Sequence, residues 1–306
     1  MLSDKKVLIT GATGQIARPI AERLVQDNEV WCAARFTDPE LKDEVERLGI
    51  RPVQWDLAAH DNSHLPADFT HVVHSAAFML TDDHEEAIRV NAEGAGLLME
   101  HCRTAEAFVL VSAFAVYKEQ DPRHEYAEGD PLGSATAYAT AYPISKIATE
   151  GAVRAAARIL DLPVTIARMN IGYGVAGHGG VPVQYFDMMR RGVAIPVLPD
   201  RETYGSPISE DDIATQGSGP LFDIASVPAT IMNWAGDDVV SATELCDFLG
   251  ELSGVTPQYR EDELAYVFFA SDNARRESLI GRCDVSWRDG VRKTIEARFP
   301  GAVTAA

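Results

Sequence analysis

Short apolar runs rich in β-branched residues alternate with amphipathic stretches through the first half of the chain. The runs predict strands at residues 6–10, 29–34, 52–55, 71–74, 107–112 and 164–169. The amphipathic stretches predict helices around residues 15–27, 38–48, 84–105 and 143–160. Nearly continuous apolar strands separated by helices are typical of a parallel sheet covered on both faces. With right-handed crossovers, the pattern predicts an α/β fold built on a doubly wound parallel Rossmann sheet.

The pattern changes after about residue 170. Glycine and proline become frequent over residues 172–207, and a seventh strand is predicted at residues 229–234. We therefore expect residues 1–170 to form a dinucleotide-binding Rossmann core, which about residues 205–240 would complete. Residues 171–306 are expected to form mainly a smaller C-terminal substrate lobe. That lobe would cover the carboxyl ends of the strands, where ligands bind in open α/β folds.

The charge balance argues against two classes of partner. The 306 residues include 27 Lys and Arg against 46 Asp and Glu, a net charge of −19. A surface this acidic disfavours binding to nucleic acid or to anionic membranes. No apolar run approaches the roughly 20 residues that span a bilayer, and no leader pattern precedes the first strand. These features predict a cytoplasmic protein with a small-molecule substrate.

Cysteines and histidines form no metal-binding pattern. The four cysteines lie far apart in the sequence, and we interpret the eight histidines as solvated side chains or as side chains with partners in the fold. Free thiols in a reducing compartment are the expected state of such cysteines. We therefore predict no metal site.

A glycine-rich loop follows the first strand and opens the first helix. Gly11 would permit a tight turn, and Gly14 would let the backbone approach a pyrophosphate at the positive end of the helix. A purely structural glycine turn is the alternative. The residues of this loop that we predict to bind a dinucleotide are Gly11, Thr13, Gly14, Gln15 and Ile16.

Two further positions bear on the cofactor. Arg35 ends the second strand, where folds that prefer NAD commonly place an acid for the ribose hydroxyls. A guanidinium can pair with a 2′-phosphate instead, so Arg35 predicts a preference for NADP(H), with NAD(H) still possible. A solvated surface arginine is the alternative. Asp56 and Leu57 follow the third strand, where the carboxylate would accept from the adenine amino group or cap a turn.

A tyrosine and a lysine lie four residues apart at the start of the predicted helix 143–160. This spacing places Tyr142 and Lys146 on one face of the helix. The lysine ammonium would lower the pKa of the phenol and hold ribose hydroxyls of the nicotinamide side. Tyr142 would then move the proton that accompanies hydride transfer.

Together these segments resemble the extended short-chain dehydrogenase/reductase family, which includes nucleotide-sugar epimerases, dehydratases and several carbonyl reductases. The resemblance covers most of the chain, including the glycine loop and residues 74–77, 90–94, 111–117, 168–174, 211–214 and 281–292. It implies that Ala76 and Ala77 lie beside the nicotinamide and that Asn91 helps to hold a proton-relay water. It also implies that Ser112, Ala113, Tyr142 and Asn170 contact substrate.

The chain departs from this family at two places. The catalytic Ser or Thr of many relatives corresponds to Ala113, so we assign that role to Ser112, one residue earlier; a buried serine bonded to backbone is the alternative. The Arg-x-Phe element that holds a diphosphate in nucleotide-sugar enzymes corresponds to residues 205–207, which read Gly-Ser-Pro, and Arg201 is displaced from it. Tyr185, Met188, Met189 and Tyr204 could form an apolar surface for the substrate instead; ordinary packing within the lobe is the favoured alternative for each of them.

The sequence therefore favours an NADP(H)-dependent oxidoreductase that moves a hydride to or from a carbonyl or secondary alcohol. The alternative is a nucleotide-sugar epimerase or dehydratase that retains NAD. A non-catalytic nucleotide-binding regulator is a second alternative, supported by Ala113. The resemblance also implies a homodimer, paired through the helices predicted at 84–105 and 143–160.

Overall fold

The computed structural model describes residues 1–79, 81–133 and 140–303. The strands, in chain order, are β1 (Lys6–Thr10), β2 (Glu29–Ala34), β3 (Arg51–Gln54), β4 (His71–His74), β5 (Ala107–Ala113), β6 (Glu125–Tyr126), β7 (Val164–Met169), β8 (Gly172–Tyr173), β9 (Ile195–Val197), β10 (Tyr204–Gly205), β11 (Ile208–Ser209), β12 (Thr230–Trp234), β13 (Val240–Ser241), β14 (Tyr259–Glu261) and β15 (Ala270–Ser271).

The α-helices are α1 (Ala17–Leu24), α2 (Pro39–Arg47), α3 (His84–Ile88), α4 (Gly94–His101), α5 (Ala141–Leu160), α6 (Gly180–Arg190), α7 (Glu210–Gly217), α8 (Pro220–Asp223), α9 (Ala242–Ser253), α10 (Ala274–Ile280) and α11 (Trp287–Arg298). The segment Arg89–Glu93 joins α3 to α4 as one π-helical turn. The predicted single helix 84–105 is therefore two α-helices with a π insertion between them.

Seven strands form one parallel sheet in the order β12-β7-β5-β4-β1-β2-β3. The predicted doubly wound Rossmann sheet is confirmed, and all seven predicted strands are present within one residue at each end. β12 comes from the second half of the chain and completes the sheet beside β7. The predicted division into a core and a substrate lobe stays a prediction.

Alternate residues of each strand supply two hydrophobic cores, one on each face of the sheet. In β5, Val109 and Val111 pack on the side of α1, α7 and α8, whereas Phe108 and Leu110 pack on the side of α4 and α5. A third core comes from residues after 170 and joins α6, α9 and α11. The sheet is therefore buried on both faces, which explains why its strands are nearly continuous in apolar residues.

Candidate active site

One cavity of about 900 Å³ lies at the carboxyl ends of the sheet strands. Every residue predicted to bind the dinucleotide lines it: Gly11, Thr13, Gly14, Gln15, Ile16, Arg35, Asp56, Leu57, Ala76, Ala77, Tyr142 and Lys146. Ser112, Ala113 and Asn170 line it as well. Asn91 does not line the cavity; it lies beneath it and is 2% exposed.

The glycine loop approaches a neighbouring turn too closely for a side chain. Gly11 has φ +74°, and a Cβ atom there would lie 3.1 Å from the Ala76 nitrogen. The Gly14 N–H donates to the Gly11 carbonyl at 2.8 Å, which closes the turn before α1. The first backbone N–H groups of α1 thus lie next to a turn in which Gly11 and Gly14 carry no side chain. This arrangement fits a dinucleotide pyrophosphate.

Buried side chains fix the turn that follows β4. The Thr10 hydroxyl oxygen accepts from the N–H groups of Ser75 (3.2 Å) and Ala76 (3.1 Å). It also lies 2.8 Å from Nδ1 of His74, to which it donates its own hydrogen. Burial lowers the pKa of His74 from 6.5 to about 3, with Lys146 adding to the effect. A neutral imidazole therefore holds the turn at neutral pH.

The far end of the cavity carries two of the predicted cofactor contacts. Arg35 is exposed in the lining and makes no ion pair within the described part of the chain. The Asp56 carboxylate accepts from the Ala58 N–H at 3.0 Å and so caps the short 3-10 turn Leu57–Ala59. The cap proposed as an alternative for Asp56 is present, and its contact with adenine stays a prediction.

Tyr142 and Lys146 lie in the first turns of α5, at the inner end of the cavity. Lys146 is 3% exposed, and its Nζ donates to the Val111 carbonyl at 2.7 Å. Burial lowers the pKa of Lys146 from 10.5 to about 8, against the opposing charge of Glu150. Burial raises the pKa of Tyr142 above its usual value, and Tyr266 adds to that shift. The expectation that Lys146 lowers the pKa of the phenol is therefore wrong for this arrangement, because desolvation dominates.

Asn91 joins two parts of the site that are far apart in sequence. Its Oδ1 accepts from the Phe78 N–H at 2.7 Å, and its Nδ2 donates to the Phe78 carbonyl at 2.8 Å. The same Nδ2 donates to the Ser145 hydroxyl at 2.9 Å, and that hydroxyl donates to the Tyr142 carbonyl at 2.7 Å. Asn91 therefore ties the segment after β4 to the start of α5. Its role in holding a water stays a prediction.

The Ser112 hydroxyl faces a buried ion pair. It donates to Oε1 of Glu150 at 2.6 Å, and Arg168 holds the same carboxylate through two nitrogens at 3.0 and 2.7 Å. A serine has one donor hydrogen, so Ser112 cannot also donate to an oxyanion while this bond lasts. A catalytic role for Ser112 stays a prediction, and Ala113 supplies no hydroxyl in its place.

Asn170 links three backbone segments at the substrate end. Its Nδ2 donates to the Phe269 carbonyl at 2.7 Å. Its Oδ1 accepts from the N–H groups of Ile171 (2.8 Å) and Ser206 (3.2 Å). Both amide atoms are thus used to shape the cavity wall. Direct contact between Asn170 and substrate stays a prediction.

Sequence reasoning missed most of the substrate end. It did not include Phe78, Met79, Phe114, Tyr266 or Phe269, all of which line the cavity. The one available signal was the apolar run 265–269, which follows a strongly charged stretch. Glu150 was also missed, although it lies four residues beyond Lys146 on the same helix.

Residues 1–79, 81–133 and 140–303 contain neither a candidate metal site nor a candidate membrane-spanning helix. Within these ranges no group of three or more His, Cys, Asp or Glu side chains is placed to hold a metal ion. Every helix in the same ranges is too short or too polar to cross a bilayer.

The Rossmann sheet, the glycine cradle and the Tyr142–Lys146 pair together define a dinucleotide-binding enzyme fold. The chain belongs to the NAD dependent epimerase/dehydratase family, whose model matches residues 7–201. The resemblance inferred from the sequence is therefore confirmed.

A curated relative from Arabidopsis thaliana is the trifunctional UDP-glucose 4,6-dehydratase/UDP-4-keto-6-deoxy-D-glucose 3,5-epimerase/UDP-4-keto-L-rhamnose-reductase RHM3. The two proteins are 23% identical over 321 residues, which cover 95% of this chain and 47% of that protein. A second such enzyme from the same plant, RHM2, is 24% identical over 313 residues, with the same coverage. The chain thus spans about half the length of the curated relatives it matches.

Two solved structures share the fold. UDP-glucuronic acid 4-epimerase from Bacillus cereus superposes with a TM-score of 0.81 at 19% identity, covering 95% of this chain and 98% of that one. UDP-N-acetylglucosamine 4-epimerase from Methanobrevibacter ruminantium gives a TM-score of 0.82 at 17% identity, with 96% and 98% covered. The first was solved in complex with UDP-glucuronic acid and NAD.

Proposed function

We propose that this protein catalyses dinucleotide-dependent hydride transfer at a carbonyl or secondary alcohol carbon. The observation that carries the proposal is the shared cavity, which runs from the glycine loop to Tyr142 and Lys146. A bound nicotinamide dinucleotide supplies or accepts the hydride. Gly11 and Gly14 leave space for its pyrophosphate, and the carboxyl ends of the strands place it against α5.

Tyr142 is the proton donor in this proposal. Because burial raises the pKa of Tyr142, its phenol is protonated at neutral pH and can donate to a carbonyl oxygen. Lys146, with a pKa of about 8, remains largely protonated at pH 7 and places a positive charge beside the reaction centre. In these protonation states Tyr142 has a proton available for a carbonyl oxygen, as reduction of a carbonyl requires.

The family match supports NAD as a cofactor, and one residue supports NADP(H) as the preferred form. Arg35 lies in the cavity lining at the end of β2. A guanidinium there would form a bidentate contact with a 2′-phosphate. We therefore propose a preference for NADP(H), with NAD(H) as the alternative.

A second candidate is a nucleotide-sugar epimerase or dehydratase that retains NAD and returns the hydride within one turnover. The family match and the relatives favour this candidate over an NADP(H)-specific reductase. The non-catalytic regulator is disfavoured by the presence of Tyr142 and Lys146 in the cavity. Homodimerisation stays a prediction; Leu97 on α4 and Ile159 on α5 are exposed.

The replacement Tyr142→Phe tests the proposal and carries its largest expected effect. It removes the phenolic hydroxyl and keeps the ring, so kcat should fall by about 10²- to 10⁴-fold while dinucleotide affinity stays within about threefold. Turnover is followed by nicotinamide absorbance with carbonyl compounds and by NMR of the product with nucleotide sugars. Net consumption of reduced dinucleotide identifies a reductase, and isomerised or dehydrated sugar identifies the second candidate. Equal rates for both proteins would reject Tyr142 as the proton donor.

A further inference from the structure

The charged residues that line the cavity are confined to one half of it. Arg35 and Asp56 lie at the dinucleotide end, and Lys146 lies at the reaction centre. Beyond Lys146, no Lys or Arg of the described residues lines the cavity. The segments outside those residues, at 80, 134–139 and 304–306, contain neither residue type in their sequence. The substrate half is therefore without a permanently charged cation.

The nearby cations have other partners. Arg201 forms an ion pair with Glu119, and Arg123 lies over the ring of Tyr204 at 5.1 Å. Neither arginine is part of the cavity lining. Arg201 would have to leave its ion pair, and Arg123 its cation–π contact, before either could bind a ligand in the cavity.

The polar groups at the start of α6 are also weak partners for an anion. The Gly180 N–H donates to Nδ1 of His178 at 3.2 Å, and Pro182 has no N–H. Gln184 Nε2 lies 3.2 Å from the same Nδ1. Burial and the charge of Arg298 lower the pKa of His178, which is therefore neutral at pH 7. The imidazole of His178 therefore adds no positive charge of its own at this helix start.

The substrate half is instead lined by an apolar wall, which we define as Phe78, Met79, Phe114, Tyr185, Tyr266 and Phe269. A second layer of rings supports it. Tyr185 stacks on Phe268 at 6.4 Å, and Tyr266 meets the same ring edge-on at 5.6 Å. Phe269 packs against Tyr126 at 5.2 Å. The rings are held in place by packing, as in a preformed site for an apolar ligand.

Two members of the wall remain open to solvent. Met79 is 56% exposed and Tyr266 is 37% exposed. Exposed apolar side chains at the mouth of a cavity mark a surface that gains from being covered. None of the six side chains of the wall is basic, so the wall offers no ionic partner to a diphosphate, whereas it can bury the surface of an apolar molecule. The wall therefore selects for an apolar molecule and against a nucleotide diphosphate.

We propose that the substrate of this protein is an uncharged, mainly apolar ketone or alcohol, whose ring system packs against the apolar wall. The inference rests on the proposed hydride transfer at Tyr142 and names the substrate class for it. It separates this chain from the relatives that act on nucleotide sugars.

Binding is tested by calorimetry on the full chain saturated with reduced dinucleotide. The probes are 4-phenylbutan-2-one as an uncharged aryl ketone, and UDP and UDP-glucose as nucleotide diphosphates. We expect saturable heat from the aryl ketone and none from either UDP compound. Saturable binding of UDP or UDP-glucose overturns the proposal, and so does a failure of the aryl ketone to bind.

A pair of matched variants locates the binding surface. Tyr266→Glu places a carboxylate against the wall and should weaken binding of the aryl ketone by about tenfold or more. The reason is that the bound ketone would remove water from the new charge. Leu264→Glu is the control: it adds the same charge two residues away, at a side chain that is 59% exposed and outside the lining. The affinity of Leu264→Glu for the aryl ketone should stay within about twofold of the wild-type value. Equal losses in the two variants would overturn the assignment to the wall.

The outcomes for the substrate class and for hydride transfer are separable. Hydride transfer to a nucleotide sugar alone would retain the proposed function and overturn the apolar substrate. Saturable binding of the aryl ketone without any turnover that depends on Tyr142 would retain the apolar substrate and overturn the proposed function.

Discussion

The two halves of the cavity are built in opposite ways. The dinucleotide half comes from the ends of adjacent strands and the few residues that follow each one, and backbone hydrogen bonds to Thr10 fix it. The substrate half combines Phe78 and Phe114, which follow β4 and β5, with Tyr185, Tyr266 and Phe269, which come from the part of the chain beyond residue 170. Ring contacts rather than hydrogen bonds hold most of its side chains.

This difference separates the chemistry from the choice of substrate. The dinucleotide half depends on strand order and on two glycines, which any substitution with a side chain would disturb. The substrate half depends on side-chain size and hydrophobicity, which loops can change without altering the sheet. Proteins with this fold can therefore catalyse the same reaction on different substrates.

Acid should damage the dinucleotide half first. The His74 pKa is 6.5 when unfolded and about 3 when folded, so the unfolded chain binds more protons between these values. His74 thus contributes stability above pH 6.5 that is lost as pH falls toward 3, at about 1.4 kcal/mol per pH unit. Between pH 6.5 and 4.5 this amounts to about 2 kcal/mol.

The measurement is urea unfolding at several pH values for the wild type and His74→Asn. The carboxylates are common to both proteins, so the difference between their slopes isolates the imidazole. Parallel slopes would show that protonation of His74 does not limit stability.

Arg35→Asp should change the dinucleotide half by a smaller amount. Replacing the guanidinium with a carboxylate should lower the affinity for NADPH by about tenfold or more. The affinity for NADH should stay the same or rise. Fluorescence titration of the nicotinamide measures both affinities. Arg103→Asp makes the same charge change at a side chain that is 64% exposed and outside the cavity lining. A wild-type preference for NADH would contradict the role given to Arg35.

Ser112→Ala should have the smallest effect, and it tests the boundary between the halves. Loss of the bond to Glu150 should reduce the free energy of unfolding by about 1 kcal/mol, because Arg168 still holds the carboxylate. If the hydroxyl only supports that ion pair, kcat should change by less than about threefold. A loss of about a hundredfold or more, as for removal of an oxyanion donor, would restore Ser112 to catalysis.

The residues that the sequence assigned to the dinucleotide all line the cavity, because they lie next to the strands that position them; their contact with a dinucleotide stays a prediction. The glycine loop, Arg35 and the Tyr142–Lys146 pair needed only the strand–helix alternation to be placed. The π-helical turn at Arg89–Glu93 was not predicted, because the flanking helices have only five and eight residues, which is too few for a change in hydrophobic period to be recognised. Of the apolar wall, only Tyr185 was a candidate in the sequence, because residues such as Phe78 and Tyr266 meet only through the tertiary fold.

Strand alternation also explains the difficulty with Ser112. Ser112 shares a strand face with Phe108 and Leu110, which pack on the side of α5. Its neighbour Ala113 belongs to the opposite face, because side chains alternate along a strand. Because the hydroxyl is at residue 112 instead of 113, it lies on the strand face that contacts Glu150. The contact with Glu150 could not be recognised from the spacing of residues in the sequence.

The amide of Asn91 has a consequence for stereochemistry. It connects Phe78, after β4, through Ser145 to the backbone of Tyr142. In the proposed reaction, Asn91 would therefore fix the position of Tyr142 relative to the segment expected beside the nicotinamide, whichever substrate binds. Changes to the apolar wall should therefore alter which molecules bind while the hydride continues to enter from the same face of the carbonyl.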